Sequence, residues 1–499
     1  MGCILVACNI SFCYLDWGQF SAADIKKLID IEGNMNQPIL VNKYIANVEN
    51  SFPAKTLSSP WNPLVDGWKA PSWITCYLQW HSTVRSTHPF FNVSKNESNN
   101  NTMPPPLLVV FCGLNSPPCG GLHDRLGSLP FDLFIANQTR RLLFYVWEKP
   151  MSIHSFFSPN LLNWRLDDTP LGHTLLEKLH LAPNIFDFER QFSSNNEASW
   201  KDTLPKAIEY ALNHSLSVLT MRHMCAHMGE YFLENILKQL GETDMIHSSN
   251  TFGWIWNAMF QPSPDLHNYL ESMSQRLNLR KGQYVAVHVR LHYPYMIASH
   301  AGGIPLKTID NTNETLKEDD KVHAFDGGTG LLLEGAGKIF AVNLGMHAIN
   351  CARTLISNVK EPIYFFSDAN NLAEFFMERN HSNGQNQSDE THIDQQADSM
   401  LAATKVCVRP DIHRRNLHLD LHNGISNASD YFATFADLYY AMEARCIVFG
   451  YGAFARFARQ LSCNSCYLQH QKHVHFPYYG NCLNLHENVC TKDSYSTKE

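Results

Sequence analysis

Five short, uninterrupted apolar runs constrain this chain more than any other feature: LLVVFC (107–112), LLFYVW (142–147), YVAVHVR (284–290), PIYFFSD (362–368) and CIVFG (446–450). A strand is apolar at every position only when both of its faces are buried, which is the condition inside a parallel sheet covered by helices. Helical patterns separate the runs, at 123–140, in LGMHAINCARTLI (344–356) and in ADLYYAMEAR (436–445). Strands alternating with helices predict a doubly wound α/β architecture. With 499 residues, and roughly 100–200 residues per domain, the chain is long enough for two or three cores. We expect a leader or trimmed anchor over 1–20, an N-terminal extension over 21–106, α/β domains over 107–275 and 276–480, and a tail over 481–499. The extension ends in a polar linker, FFNVSKNESNNNTMPPP (90–106), and ordered structure is expected to begin after it. Residues 383–398, nearly devoid of apolar side chains, read as a surface insertion.

Charge narrows the function. Lys and Arg number 39 against 47 Asp and Glu, a net charge of −8, with no dense basic run. The electrostatic footprint of a nucleic-acid binder is therefore missing. No apolar run reaches the roughly 18 uncharged residues that cross a bilayer. MGCILVACNISFCYLD at the start is apolar but has no basic flank, so at most it supplies a weak N-terminal membrane anchor. Fourteen cysteines, and Asn-x-Ser/Thr sequons at Asn9, Asn92, Asn96, Asn100, Asn137, Asn213, Asn313, Asn380, Asn386 and Asn427, lean toward a secretory compartment with disulfides whose pairing spacing does not give.

Three of the runs end in groups that a buried strand disfavours: His288 and Arg290, Asp368, and the Gly450-Tyr451-Gly452 turn. Ligands of open α/β sheets sit beyond the carboxyl ends of the strands. Val285, Val287 and Val289 alternate with Ala286, His288 and Arg290, so the last two share a face at the exit. A guanidinium there requires an anion, and its planar fork suits phosphate oxygens. The plainer reading pairs Arg290 with a structural carboxylate and makes His288 a core residue; the two other strand ends at the same edge favour a ligand. GYGAFARFARQL then leads from a glycine turn directly into a helix, whose first N–H groups attract anions.

The succession YVAVHVR, PIYFFSD, DLYYAMEARCIVFGYGAFARFA resembles the three C-terminal motifs of the GT-B fucosyltransferases, a group that includes the protein O-fucosyltransferases and the α1,6-fucosyltransferases. CGGLHDRLGSLP (119–130) resembles their N-terminal glycine loop and first helix, and the motifs together span about residues 107–465. The resemblance implies a GT-B fold, two Rossmann-like α/β domains facing a cleft, with the acceptor domain first and the nucleotide domain second. It implies metal-independent, inverting transfer of fucose from GDP-fucose to a hydroxyl of a glycan or glycoprotein. No cofactor is needed beyond that donor, and a Golgi or ER lumen location follows.

The same resemblance suggests roles residue by residue. Arg290 holds the donor diphosphate and neutralises the charge that grows on the leaving group; His288 matches the histidine whose segment lies against the nucleotide; Asp437 reads guanine. Gly120, Gly121 and Arg125 form the donor-side loop, with Asp368, Ala453, Phe454 and Ala455 completing the diphosphate subsite. Asp124 and His123 are the candidate bases. The plainer readings are that Asp124 and Arg125 shape the first turn and that Asp437 complements its helix dipole. Two departures stand out: Ala453 replaces a Ser or Thr, and Leu291, His292 and Tyr293 stand where several relatives carry a second Arg or an Asp. A noncatalytic glycan- or protein-binding relative, and a transferase using another nucleotide sugar, are the alternatives.

Other signals are weaker. DGGTGLLLEGAGK (326–338) does not fit a P-loop and reads as a substrate-side loop. His223, His227 and Glu230 make a minor zinc candidate, as does the tail set of CNSC (463–466) with Cys482 and Cys490.

Overall fold

The computed structural model describes residues 72–92, 105–114, 119–181, 185–187, 218–222, 248–291, 335–356, 358, 360–381, 392–411, 414, 416–417, 419, 427–450, 452–462, 466–471 and 482–484. They form two α/β units, the first running to Gln261 without the short segment His154–Phe157, the second comprising that segment and everything from Pro262 onward. The division falls before the helix at 264–277, whereas the sequence reading placed it near 275. That helix belongs to the second unit, where the Tyr440 hydroxyl donates to its Leu270 carbonyl at 2.9 Å. No described helix is long and apolar enough to cross a membrane. The 1–20 leader, His223, His227, Glu230, Cys490 and the glycine-rich stretch up to 334 lie outside the described residues.

In chain order the residues up to Pro262 form α1 (Ser72–Thr87), α2 (Pro89–Asn92), β1 (Leu107–Cys112), α3 (Leu122–Leu126), α4 (Leu129–Gln138), β2 (Leu142–Trp147), β3 (Phe157–Pro159), α5 (Pro170–Leu181), β4 (Ile185–Asp187), β5 (Val218–Arg222), α6 (Ser248–Met259) and β6 (Phe260–Pro262), all in the first unit except Phe157 of β3 and Pro262 of β6. Its sheet has the order β2-β1-β5-β4 and every neighbouring pair is parallel. Every residue of β1 and β2 is buried, as their unbroken apolar sequences predict.

The expectation that ordered structure begins only after residue 106 is corrected by α1. β2 is an edge strand and leaves backbone groups unpaired, which would be costly once buried. Tyr77 of α1 donates to the Arg141 carbonyl and accepts from the Leu143 N–H, at 2.9 and 3.0 Å. His81, one turn on, contacts the Leu143 carbonyl at 3.2 Å. Phe90 and Phe91, assigned to a linker, are buried against Phe144 and the β1 side chains. Asn137 is also buried in the last turn of α4, so this sequon is closed to a glycan, whereas Asn427 is exposed.

The second unit contains α7 (Pro264–Leu277), β7 (Val285–Val289), α8 (Gly335–Arg353), β8 (Ile363–Ser367), α9 (Asn370–His381), α10 (His392–Ala402), β9 (Val406–Cys407), α11 (Phe432–Glu443), β10 (Cys446–Phe449), α12 (Ala453–Leu461), β11 (Tyr467–Gln469) and β12 (Leu483–Asn484). The order is β12-β11-β10-β7-β8-β9, parallel except for the antiparallel β11–β12 pair. Val285, Val287 and Val289 enter one core with α8, α9 and α10. Each such side chain contributes roughly 1.5–3 kcal/mol by leaving water. The proposed surface insertion is half wrong: 392–398 begin α10, whose Ile393, Ala397, Met400 and Leu401 are buried at helical spacing.

Disulfides join Cys112 to Cys119, Cys351 to Cys482 and Cys446 to Cys466. Cys466 and Cys482 are thereby committed elsewhere, which removes the tail zinc knot. At the amino edge of the second sheet, Arg445 forms a two-pronged pair with Glu361, at 2.9 Å on both arms.

Glu443 ends α11, where the last carbonyls concentrate negative charge. Burial pushes its carboxyl up from 4.5 to about 7. A raised carboxyl stabilises the fold fully below its unfolded value and loses that contribution as pH rises through 7. Glu443→Gln is therefore expected to add about 1–2 kcal/mol at pH 8 and little at pH 4, read by urea unfolding at the two pH values.

Candidate functional site

β7 is central in the second sheet, with β8 on one side and β10 on the other. From β7 the chain adds β8 and β9 on one side and then returns to add β10 and β11 on the other, which makes the carboxyl end of β7 a topological switch point where a crevice opens in such sheets. Arg290 is the first residue beyond β7 and retains 21% side-chain exposure in an otherwise buried strand end. Asp368 lies beside it, with Oδ2 3.9 Å from Arg290 Nε, beyond hydrogen-bond distance. Asp368 instead uses Oδ1 to accept the Leu291 N–H at 2.7 Å.

The guanidinium lies against the start of α12. Gly452, the N-cap of this nine-residue helix, has φ +114°, and a Cβ built there would sit 2.5 Å from Arg290 Nη1 and 2.6 Å from its Cδ. Only glycine allows that approach. Ala453, Phe454 and Ala455 occupy the first turn, so their backbone N–H groups are the ones a helix leaves without internal acceptors. The side chain of Ala455 is wholly buried and contributes nothing to a ligand beyond that backbone. A guanidinium beside the positive end of a helix dipole is an anion-binding arrangement. Gly452→Ala is expected to push Arg290 aside and weaken anion binding about tenfold, while costing roughly 1–3 kcal/mol in backbone strain. Calorimetric titration with GDP and a thermal melt read the two effects separately.

His288 is enclosed by aromatic rings at the end of β7. Its ring is buried between Phe366 and Phe454, with centroids at 5.0 and 5.9 Å. Burial, helped by the Arg290 charge and His470, lowers its pKa to about 3, so the imidazole is neutral. His470 supports it from behind, with Nε2 3.0 Å from the His288 carbonyl.

Asp437 is enclosed by hydrogen-bond partners. It is buried, with Oδ1 accepting from the Tyr364 hydroxyl at 2.5 Å and Oδ2 from Asn416 Nδ2 at 2.6 Å. Arg409 Nε is 3.5 Å from Oδ1, and Arg409 is further held by Asp411 Oδ1 at 2.6 Å. Burial raises the Asp437 pKa while Arg409 and the two hydrogen bonds oppose that rise. Both oxygens are spoken for, so a base-edge contact would require a partner to yield. Sequence reading missed Arg409, Asp411, Asn416 and Tyr364; the signal for the first two was RPD following VCV, another strand end turned polar.

In the first unit, Gly120, Gly121, His123, Asp124 and Arg125 lead into and begin α3, immediately after the loop that Cys112–Cys119 closes. Gly120 has φ +74°, and a Cβ there would collide with Asp124 at 2.4 Å. Asp124 Oδ2 accepts the Gly121 N–H at 2.7 Å and so caps the first turn of α3 from its third residue. Arg125 is buried, donating through Nε to the Gly120 carbonyl at 2.9 Å and through Nη1 to the Lys149 carbonyl, with Trp147 beneath it at 5.3 Å. His123 is buried. These contacts shape the turn at Asp124 and Arg125, and of the two candidate bases Asp124 is partly exposed.

One potential metal-ligand cluster occurs among the described residues, His347 with Cys351 and Cys482, and its two sulfurs are joined as a disulfide. No protein-family model matches the chain, and no curated protein matches it. Among solved structures, one of an Arabidopsis thaliana FUT1 mutant in complex with GDP is similar at 9% identity and a TM-score of 0.45, covering 85% of each chain.

Proposed function

We propose that the chain is a nucleotide-sugar-dependent glycosyltransferase that moves fucose from GDP-fucose to a hydroxyl of a glycan or protein, by inversion and without a metal. The observation that carries the reading is the Arg290 guanidinium packed on Gly452 at the amino end of α12. The order of the sequence motifs supplies the sugar-nucleotide class. In the reaction the acceptor oxygen bonds to the sugar anomeric carbon as the bond from that carbon to the β-phosphate oxygen breaks. The electron pair leaves on GDP and the acceptor proton passes to a base. Charge rises on the departing diphosphate, where a fixed cation and helix N–H groups stabilise the transition state more than the ground state.

The test is GDP release from GDP-fucose, with and without a hydroxyl acceptor pool, compared with UDP- and ADP-sugars. Preferential turnover of the guanosine donor supports the reading. A second reading, a noncatalytic nucleotide- or glycan-binding relative, is favoured by the capping role of Asp124. Binding of GDP without turnover would select it. Equal response to all three nucleotides would instead indicate a different donor, in keeping with the engaged state of Asp437.

A further inference from the structure

We propose that Ser367 and Asn416 are positioning residues that set the aim of Arg290, a role that rests on the diphosphate-binding reading above. A strand leaving a sheet normally gives its last polar groups to water. Here both peptide groups flanking Arg290 are held by consecutive residues of the neighbouring strand. Ser367 Oγ donates to the Val289 carbonyl at 2.7 Å, and Asp368 Oδ1 accepts from the Leu291 N–H at 2.7 Å. Val289 and Ser367 are register partners, so the two contacts lie directly across the β7–β8 ladder at its exit. The Ser367 hydroxyl also accepts the Ala369 N–H at 3.1 Å, which fixes its orientation.

Asn416 locks this dipeptide from behind. Its Nδ2 donates one hydrogen to the Ser367 carbonyl at 2.8 Å and the other to Asp437 Oδ2 at 2.6 Å. Asp437 is itself pinned by Tyr364 and Arg409. A continuous set of hydrogen bonds thus runs from a buried carboxylate through Asn416 and Ser367 to the peptide bond that carries Arg290. A side chain serving only to end a strand needs one of these contacts. Both flanks of one arginine, held together and braced internally, define its trajectory toward α12. Displacement of such a group by about 1 Å is enough to cost a binding site much of its affinity.

The experiment measures GDP affinity by calorimetry for wild type, Ser367→Ala, Ser367→Thr, Asn416→Ala, Arg290→Ala and the double variant Arg290→Ala with Ser367→Ala. Thermal melting of each confirms folding. The expected result is a loss of about tenfold in Ser367→Ala and Asn416→Ala, recovery to within about twofold in Ser367→Thr, and no further loss when Ser367→Ala is added to Arg290→Ala. Additive effects in the double variant would overturn the positioning role, as would a lowered melting temperature in Ser367→Ala with affinity unchanged. If Arg290→Ala itself leaves affinity intact, or wild type binds no GDP, the diphosphate reading falls and takes the positioning role with it. A weakened Arg290→Ala beside an unaffected Ser367→Ala sinks the positioning role alone.

Discussion

Arg290→Ala is expected to weaken GDP binding by about 100-fold and to reduce sugar-nucleotide turnover at least as much, with the melting temperature little changed. The magnitude follows from losing a charge-assisted pair of hydrogen bonds, on the order of 1.5–3 kcal/mol in binding, plus the larger interaction made as charge develops on the leaving group. Stability is spared because the side chain is partly exposed and the neighbouring Asp368 is anchored to the Leu291 N–H. Arg290→Lys should recover only part of the affinity, since an ammonium keeps the charge but not the fork. Titration calorimetry and a GDP-release assay on the same preparations check both claims. Wild-type affinity in Arg290→Ala would refute the assignment of the site.

Acid should unfold the protein earlier than its carboxylates alone would dictate. Three histidines are buried neutral: burial lowers His81 and His288 to about 3 and His470 to about 4, from 6.5. A histidine whose folded pKa is depressed contributes no penalty above 6.5. Below that the unfolded chain takes up protons that the fold refuses, so stability is lost progressively down to the folded values. Each group withdraws on the order of 3 kcal/mol by pH 4, against a typical total of about 5–15 kcal/mol for a domain. Glu443 works in the opposite sense between 7 and 4.5 and offsets only part of this. The second unit, with two of the three histidines, is expected to open first. Circular dichroism followed from pH 7 to pH 3 should show a transition that moves to lower pH in His288→Phe, whose ring would fill the same aromatic slot between Phe366 and Phe454. An unmoved transition would show that His288 is not titrating there.

The long buried strands were legible because their burial leaves no room for polar residues: β1, β2, β7, β8 and β10 fall inside the five apolar runs. β9, β11 and β12 are two or three residues long, too short for any periodicity to register. Missing β9 meant missing Arg409 and Asp411 at its end, and with them the reason Asp437 is occupied. Arg290 and the Gly452 turn stood out as a candidate from strand-end chemistry alone, since charge and glycine are conspicuous after apolar runs. The burial of His288 could not, because the aromatic rings that enclose it come from 366 and 454, distant in sequence. α1 was overlooked because its amphipathic face is built from Tyr77 and His81, residues that read as polar or neutral but serve the edge of β2. Asn416 carries no sequence signal at all; its role depends on two acceptors brought together by the fold.

The cross-link between Cys351 and Cys482 changes what a chain break would mean. It fastens the final short strand to α8 across 131 residues of sequence. A protease that severed the backbone between Gln471 and Cys482 would leave β12 attached to the body of the protein by sulfur. The nick would pass unnoticed under oxidising conditions and be revealed only when a thiol was added.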